Sequence, residues 1–357
     1  MKNIALMSLG LLVTFNTFAQ STSGILEAWK GFSDPEIMSS GFNSRFSDLP
    51  KEARLKEGPK LWSGDFWAHQ KGGINLRWNS PGLEGFNLRS PSKEFAQQMT
   101  VEQLATLAPS EKYDLYMGRY DYPLKREISN IVSSGAADWE GICNGWAPAS
   151  MNHNEPTPKL LTNPDGIKIP FGSSDIKALV SYFYATYHEV ETTNQMGLRC
   201  GFGGWLGGSK ACDQDLNAGA FHIVLANKIG VMGESFVIDR DRKKEVWNQP
   251  MVGYSTRVLE TKRASRGAAR SAVSEVRVAT SIFYVEEHET SKWNMVIGTE
   301  DQKITKMDLQ YVIELDYEGK IVGGEWESKE RPDFLWQMVP ATNFGTVFAG
   351  LPALLDD

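Results

Sequence analysis

The feature that most constrains the fold is a change of hydrophobic period near residue 221. Before it, apolar residues recur at helical spacing; after it, β-branched and aromatic runs alternate with turn residues. Thr100 with Gln103 three positions on, and Leu104 and Leu107 on one face, reads as an N-capped helix start. Residues 110–117 and 124–132 continue the helical pattern. Ile176, Leu179, Val180, Phe183 and Tyr184 place a further helix over 174–188, with Ser173 or Ser174 as its cap. Residues 221–226, 235–239, 277–286, 294–298 and 309–315 then read as strands. Asp316-Tyr317-Glu318-Gly319 reads as a hairpin turn into 320–326. The basic, Ala/Ser-rich stretch 262–277 reads as a solvated loop or short helix. Helices followed by antiparallel strands predict an α+β protein, a helical N-terminal scaffold leading into an antiparallel sheet.

The ends of the chain carry different signals. Residues 1–19 read as a secretory signal peptide: Lys2, an apolar run from Ile4 to Phe15, then Thr17-Phe18-Ala19. No later stretch is long and apolar enough to span a bilayer. The expected location is therefore secreted or periplasmic. Residues 20–95 are irregular and form a candidate pro-segment ahead of a domain over 96–357. Within them, Leu61-Trp62-Ser63-Gly64-Asp65-Phe66-Trp67 reads as a packing anchor. A formal charge of −7 argues against a nucleic-acid partner.

Export makes cysteine usage informative. The chain has three cysteines. Cys200 and Cys212 can pair around a glycine-rich loop, a closure that contributes about 3 kcal/mol. Cys143 is left over in an oxidising compartment, so it is either buried and structural or chemically used. Its setting, Gly141-Ile142-Cys143-Asn144-Gly145-Trp146-Ala147-Pro148, fits a thiol at a helix start. Pro148 fits only the first turn of that helix, and the small residues leave room for a substrate. Trp146 and Trp205 are candidate walls.

A nucleophilic thiol needs a base. Of the five histidines, His153 and His288 sit in polar stretches, His188 ends a helix and His69 follows the tryptophan cluster. His222 lies within a strand-like run. A lone strand histidine is more often structural, so it needs a partner. With 221–226 and 235–239 paired antiparallel and Val224 opposite Val237, His222 falls opposite Asp239, Cβ atoms roughly 5 Å apart. A two-residue shift substitutes Asp241. The order Cys143, His222, Asp239 is that of a papain-like or transglutaminase-like core, in which a thiol attacks a carboxamide or peptide carbonyl.

Several stretches resemble a known family. Val246-Trp247-Asn248-Gln249-Pro250, with Gly253 and Tyr254, is similar to the surface peptide of the oomycete transglutaminase elicitor. Residues 110–115, the Cys143 segment, Ile321-Val322-Gly323-Gly324-Glu325-Trp326 and Arg331-Pro332-Asp333-Phe334-Leu335-Trp336 resemble the same family. Met251 and Val252 depart from the elicitor peptide. Ala137 stands where papain-like peptidases carry an oxyanion-hole glutamine. The resemblance implies a secreted protein-glutamine γ-glutamyltransferase with a calcium requirement, acting on proteins that bear glutamine and lysine. It implies Cys143 as nucleophile, His222 as base and Asp239 as orienter. Asp213, Asp215 and Asn217 put oxygen donors at alternate positions, as a calcium loop does, although such strings are more often solvated turns. The competing readings are a secreted cysteine peptidase or amidase using the same residues, and a non-catalytic surface recognition protein.

Overall fold

An eight-stranded sheet stands at the centre of the structure, a computed structural model, and every pairing in it is antiparallel. Residue 29 and residues 31–58, 60–78, 85–86, 88–188, 193–200, 216–287 and 302–356 are described. The strands of the sheet are β1 (Glu52–Arg54), β4 (Thr193–Met196), β5 (Val237–Asp239), β6 (Asn248–Arg263), β7 (Ser274–Val285), β8 (Ile304–Leu315), β9 (Ile321–Trp326) and β10 (Leu335–Met338). They run in the order β4-β10-β5-β6-β7-β8-β9, with β1 also paired to β6. A separate hairpin joins β2 (Lys159–Thr162) to β3 (Lys168–Phe171). The helices are α1 (Lys93–Ala96), α2 (Val101–Ala105), α3 (Pro109–Tyr116), α4 (Pro123–Ser129), α5 (Cys143–Asn152), α6 (Ser173–Thr186) and α7 (Ala218–Leu225). The expected α+β architecture is present. Among the described residues no helix is long and apolar enough to cross a membrane.

The sheet divides the interior in two. Successive side chains on a strand point to opposite faces. Val237, Val252, Val285 and Trp336 join one core, while Ile238, Met251, Tyr284 and Leu335 join the other. The first core receives α2 through α6, and Trp62 and Trp67 of the tryptophan-dense anchor also enter it. The second core receives α7, which lies on β8 and β9.

α7 overturns one expectation. Residues 221–226 are helical, not a strand. Ala220 to Ala226 is an apolar run too short for its period to separate a buried helix from a buried strand. The deciding residue is Asn217, whose Oδ1 accepts from the Gly219 and Ala220 N–H groups at 2.9 and 3.2 Å. A Cβ on Gly219 would come within 2.1 Å of the Gly323 carbonyl oxygen. The Gly323-Gly324 pair is therefore the seat on which α7 docks.

Other expectations hold with small shifts. Thr100 and Gln103 form a reciprocal capping box on α2. At α6 the cap position is Gly172, not Ser173 or Ser174, and the Asp175 carboxylate accepts the Gly172 N–H at 2.7 Å. Pro148 lies in the second turn of α5, since the helix begins at Cys143 itself. β6, at 16 residues the longest strand, was masked in the sequence by Pro250 and Gly253; the strand slips register between Met251 and Gly253.

The small residues around Cys143 serve packing and not substrate access. A Cβ on Gly141 would meet the Phe66 carbonyl oxygen at 2.2 Å, and one on Gly145 would meet the Ser181 carbonyl oxygen at 1.9 Å. Gly145→Ala should force α5 away from α6 and cost about 1–3 kcal/mol. Urea unfolding checks this, and an unchanged midpoint would remove close packing as the reason for a glycine there.

Candidate active site

Cys143 opens α5, where the first-turn N–H groups lack intrahelical partners. The turn is pinned by the Ile142 N–H donating to the Phe66 carbonyl at 2.7 Å. The side chain is a free thiol, 6% exposed. Its sulfur accepts the Asn248 Nδ2–H at 3.3 Å and lies 3.6 Å from the Val246 carbonyl oxygen. The orientation of Asn248 is fixed chemically. The Trp336 indole can only donate, and it donates to Asn248 Oδ1 at 2.8 Å, so Nδ2 must face the sulfur. Burial pushes the Cys143 thiol up to about 11; Glu287 adds to the rise and the Asn248 amides oppose it, with Asp239 a smaller upward influence.

Carboxylates gather on the same side. Asp239 is the register partner of Asn248 across β5 and β6. Its Oδ1 accepts the Trp247 N–H at 2.9 Å, and its buried Oδ2 has no partner. Burial raises its pKa to about 8, helped by the like charges of Asp333 and Asp241. Asp241 instead accepts the Lys243 N–H at 2.9 Å, and neither aspartate is the partner of His222. Glu287 follows β7; Gln249 Nε2 donates to its Oε2 at 2.8 Å, while Glu287 Oε1 and Gln249 Oε1 are buried without partners. Burial raises Glu287 to about 7. Asp65, on the anchor segment, accepts the Trp67 N–H at 2.9 Å through Oδ1 and leaves Oδ2 unpaired. Its pKa also rises to about 7, from burial first and, among nearby charges, from Glu287.

His222 is placed elsewhere. It lies on α7, in the second core, with the sheet between it and Cys143. Its Nδ1 is 2.8 Å from the Tyr311 hydroxyl, and its ring packs 5.5 Å from Phe46. Burial alone lowers its pKa to about 4, so it is a neutral ring. The expected cross-strand pair of His222 with Asp239 does not form, because residues 221–226 are not a strand. The partner of Tyr311 continues the chain: Thr280 Oγ1 donates to the Tyr311 hydroxyl at 2.9 Å.

The remaining expectations resolve as follows. Trp146 is wholly buried, with Nε1 donating to the Trp62 carbonyl at 3.2 Å, and is a core residue rather than a wall. Asn217 spends its Oδ1 on capping α7 and its Nδ2 on the Gly324 carbonyl at 3.1 Å. Asp213 and Asp215, Cys212, Trp205 and His288 lie outside the described residues. Among the described residues no three His, Cys, Asp or Glu side chains cluster to hold a metal. Asn248, Gln249 and Pro250, quoted above as part of a surface peptide, are buried in this chain. Sequence reasoning missed Asn248, Gln249, Glu287 and Asp65 as site residues. Of these only Asp65, set among Leu61, Trp62, Phe66 and Trp67, stands out in sequence as a polar side chain in an apolar stretch.

A groove of about 960 Å³ lies apart from this cluster, lined in part by Arg54, Lys60, Met151, Val231 and Val339. It holds no candidate nucleophile.

A buried thiol at a helix N-terminus, held by an amide beside carboxylates, on the face of an antiparallel sheet, is an arrangement suited to thiol-based acyl chemistry. The chain belongs to the transglutaminase elicitor family, whose sequence pattern matches residues 126–352. Its fold is similar to that of the GP42 transglutaminase from Phytophthora sojae, with a TM-score of 0.64 and 23% identity over 89% of this chain and 94% of that one. No curated protein matches.

Proposed function

We propose that the protein is a protein-glutamine γ-glutamyltransferase with Cys143 as its nucleophile. The observation that carries this reading is the juxtaposition of the Cys143 sulfur with Asn248 and, opposite Asn248 in register, the unpaired carboxylate oxygen of Asp239. Family membership and the fold of a solved transglutaminase support it.

In this reading Asp239 takes the thiol proton. Moving it from a group near 11 to one near 8 costs about 4 kcal/mol, within an enzymatic barrier. The thiolate attacks the γ-carbonyl of a glutamine side chain. The oxyanion is met by the unpartnered N–H groups at the start of α5. Ammonia leaves with the proton, and a thioester remains. A lysine amine then forms the C–N bond as the C–S bond breaks, and the displaced thiolate is reprotonated. Water in place of the amine yields glutamate.

The family resemblance implies calcium; of the three oxygen donors considered for it, Asn217 is committed to capping α7, and Asp213 and Asp215 lie outside the described residues. No step above runs through calcium. We also propose that Cys200 and Cys212 are joined, with non-reducing mass spectrometry as the test, and that a signal peptide directs export.

The direct test is incorporation of a fluorescent alkylamine into a glutamine-bearing protein, with calcium present and absent. Peptide cleavage without incorporation would favour a peptidase instead. The thiol's burial favours one rival, a recognition protein with an idle cysteine; failure of both incorporation and ammonia release would establish it.

Because Asp239 must be ionised to accept a proton, the acylation rate should rise with pH through about 8. Asp239→Asn should remove that rise and lower the rate on the order of 10²-fold. His222→Gln should lower stability by about 1–2 kcal/mol through its lost Tyr311 contact, yet keep amine incorporation at a permissive temperature. A loss of catalysis comparable to that of a Cys143 variant would return His222 to the proton path.

A further inference from the structure

Residues 262–273, at the far end of the β6–β7 ribbon, carry Lys262, Arg263, Arg266 and Arg270 and no carboxylate, in a chain whose formal charge is −7. Lys262 pairs with Glu275 at 3.1 Å. Arg263, Arg266 and Arg270 are exposed and have no ion pair among the described residues. The loop that carries them is held in place. The Ala264 N–H donates to the Val273 carbonyl at 3.1 Å, and the Val273 N–H to the Leu315 carbonyl at 2.8 Å. The Ser265 N–H donates to Glu275 Oε1 at 2.7 Å, and the Ala269 N–H to Glu314 Oε2 at 2.8 Å. Glu275 and Glu314 are both buried. These carboxylates therefore fix the backbone of the loop and leave the three guanidiniums to solvent. A loop ordered before binding loses little entropy when a ligand arrives.

The other residues of the stretch narrow the ligand. Between the arginines stand Ala, Ser and Gly, with no aromatic ring to stack on a base. Val273 is the only large apolar side chain in the stretch, too little to enter a bilayer. Contact here is contact with a guanidinium, which selects carboxylates and other anions. Position excludes the reacting glutamine. β6 runs 16 residues from Asn248, which meets the thiol, to Arg263, about 50 Å at the usual rise of a strand. A ligand that uses both ends is a macromolecule.

Resting on the transferase reading above, we propose that Arg263, Arg266 and Arg270 form a docking surface for acidic protein substrates, capturing a carboxylate-rich stretch of the protein whose glutamine reacts at Cys143. Each guanidinium offers a carboxylate two parallel N–H donors. The net negative charge of the chain repels such a protein elsewhere, so the tip both attracts it and orients its approach. Binding through a part of the substrate that does not react lowers KM and leaves kcat alone.

The test uses the full-length protein, a fluorescent alkylamine and two glutamine donors: casein, which is acidic, and a short neutral glutamine peptide. One variant combines Arg263→Gln, Arg266→Gln and Arg270→Gln; a second carries lysine at the same three positions. At low ionic strength the first should raise KM for casein about tenfold, with kcat and turnover of the neutral peptide unchanged. The lysine variant should keep most of the wild-type KM, and high salt should erase the difference between the first variant and the wild type. Casein binding to the Cys143→Ala protein, read by fluorescence anisotropy with and without the three glutamine substitutions, should weaken by the same factor. Unchanged KM and unchanged binding overturn the proposal. Equal loss toward casein and the neutral peptide shows a structural role and also overturns it. Loss of retention on a sulfated polysaccharide with casein handled normally assigns the tip to glycans. A dimer lost with casein handled normally assigns it to a second copy. Either result overturns the proposal. If the wild type incorporates no amine, the transferase reading fails, while casein binding still decides the docking surface by itself.

Discussion

Cys143→Ala should lower amine incorporation on the order of 10⁴-fold or more, since removing a covalent nucleophile eliminates the thioester route. The variant should still fold. Truncation leaves the Asn248 Nδ2–H without its acceptor in a buried place, a loss of about 1–3 kcal/mol. Trp336 continues to hold the other end of that amide. Cys143→Ser separates the two effects, because its hydroxyl still accepts from Asn248 but is a far weaker nucleophile. Intact-mass measurement of the acylated protein gives the second readout. Full incorporation by the alanine variant would end the assignment. Resistance of the wild-type thiol to alkylation during turnover would do the same, since a reacting sulfur must be reached.

The second large effect concerns stability. Lys112 on α3 and Asp175 on α6 are wholly buried and meet at 2.7 Å. Asp175 also accepts the Trp78 indole N–H at 2.8 Å and the Gly172 N–H at 2.7 Å. Burial holds Lys112 below the usual lysine range, while Asp175 pulls it back toward the charged form. Asp175→Leu should therefore cost about 3–5 kcal/mol, because it strands an ammonium in the core and frees two further donors. The double variant Lys112→Met, Asp175→Leu should recover most of that loss. A small single-variant effect in urea unfolding would show that Lys112 escapes to water or gives up its proton cheaply. Because α6 packs on α5 at Gly145, activity should decline with this pair even though neither residue approaches Cys143.

Local signals carried the helical half well. Thr100 and Gln103 cap as read, and the periodic residues of 174–188 do form a helix, α6, which is buried on every side from Ser173 to Tyr184. The long strands β7, β8 and β9 were also visible, because their alternation and the Asp316–Gly319 turn are local properties. α7 was not, for a physical reason: a run such as Phe221-His222-Ile223-Val224-Leu225 is apolar on all sides and has no period to read. What decides it is the Asn217 cap and the docking of Gly219 on Gly323, one a single side chain and the other distant in sequence. That one error displaced His222 across the sheet and removed the histidine from the expected triad. Cysteine counting singles out Cys143, whereas Asp239 enters the sequence reading only as a cross-strand partner of His222, a pairing that does not form. Asn248, Glu287 and Asp65 were not read as site residues, since only tertiary packing brings three separate segments together and strips them of water.

The unpaired carboxylates give the fold and the chemistry opposite preferences for pH. Asp65, Glu287 and Asp239 have folded pKa values of about 7, 7 and 8, well above the ordinary carboxylate value of about 4. Between those limits the folded chain holds protons that the unfolded chain has released. Their contribution to stability is complete below about 4 and is lost as pH rises through about 7 to 8. The proton transfer to Asp239 proposed above would begin where that contribution ends. The protein should therefore keep longest in mildly acidic storage and work fastest in mildly alkaline medium.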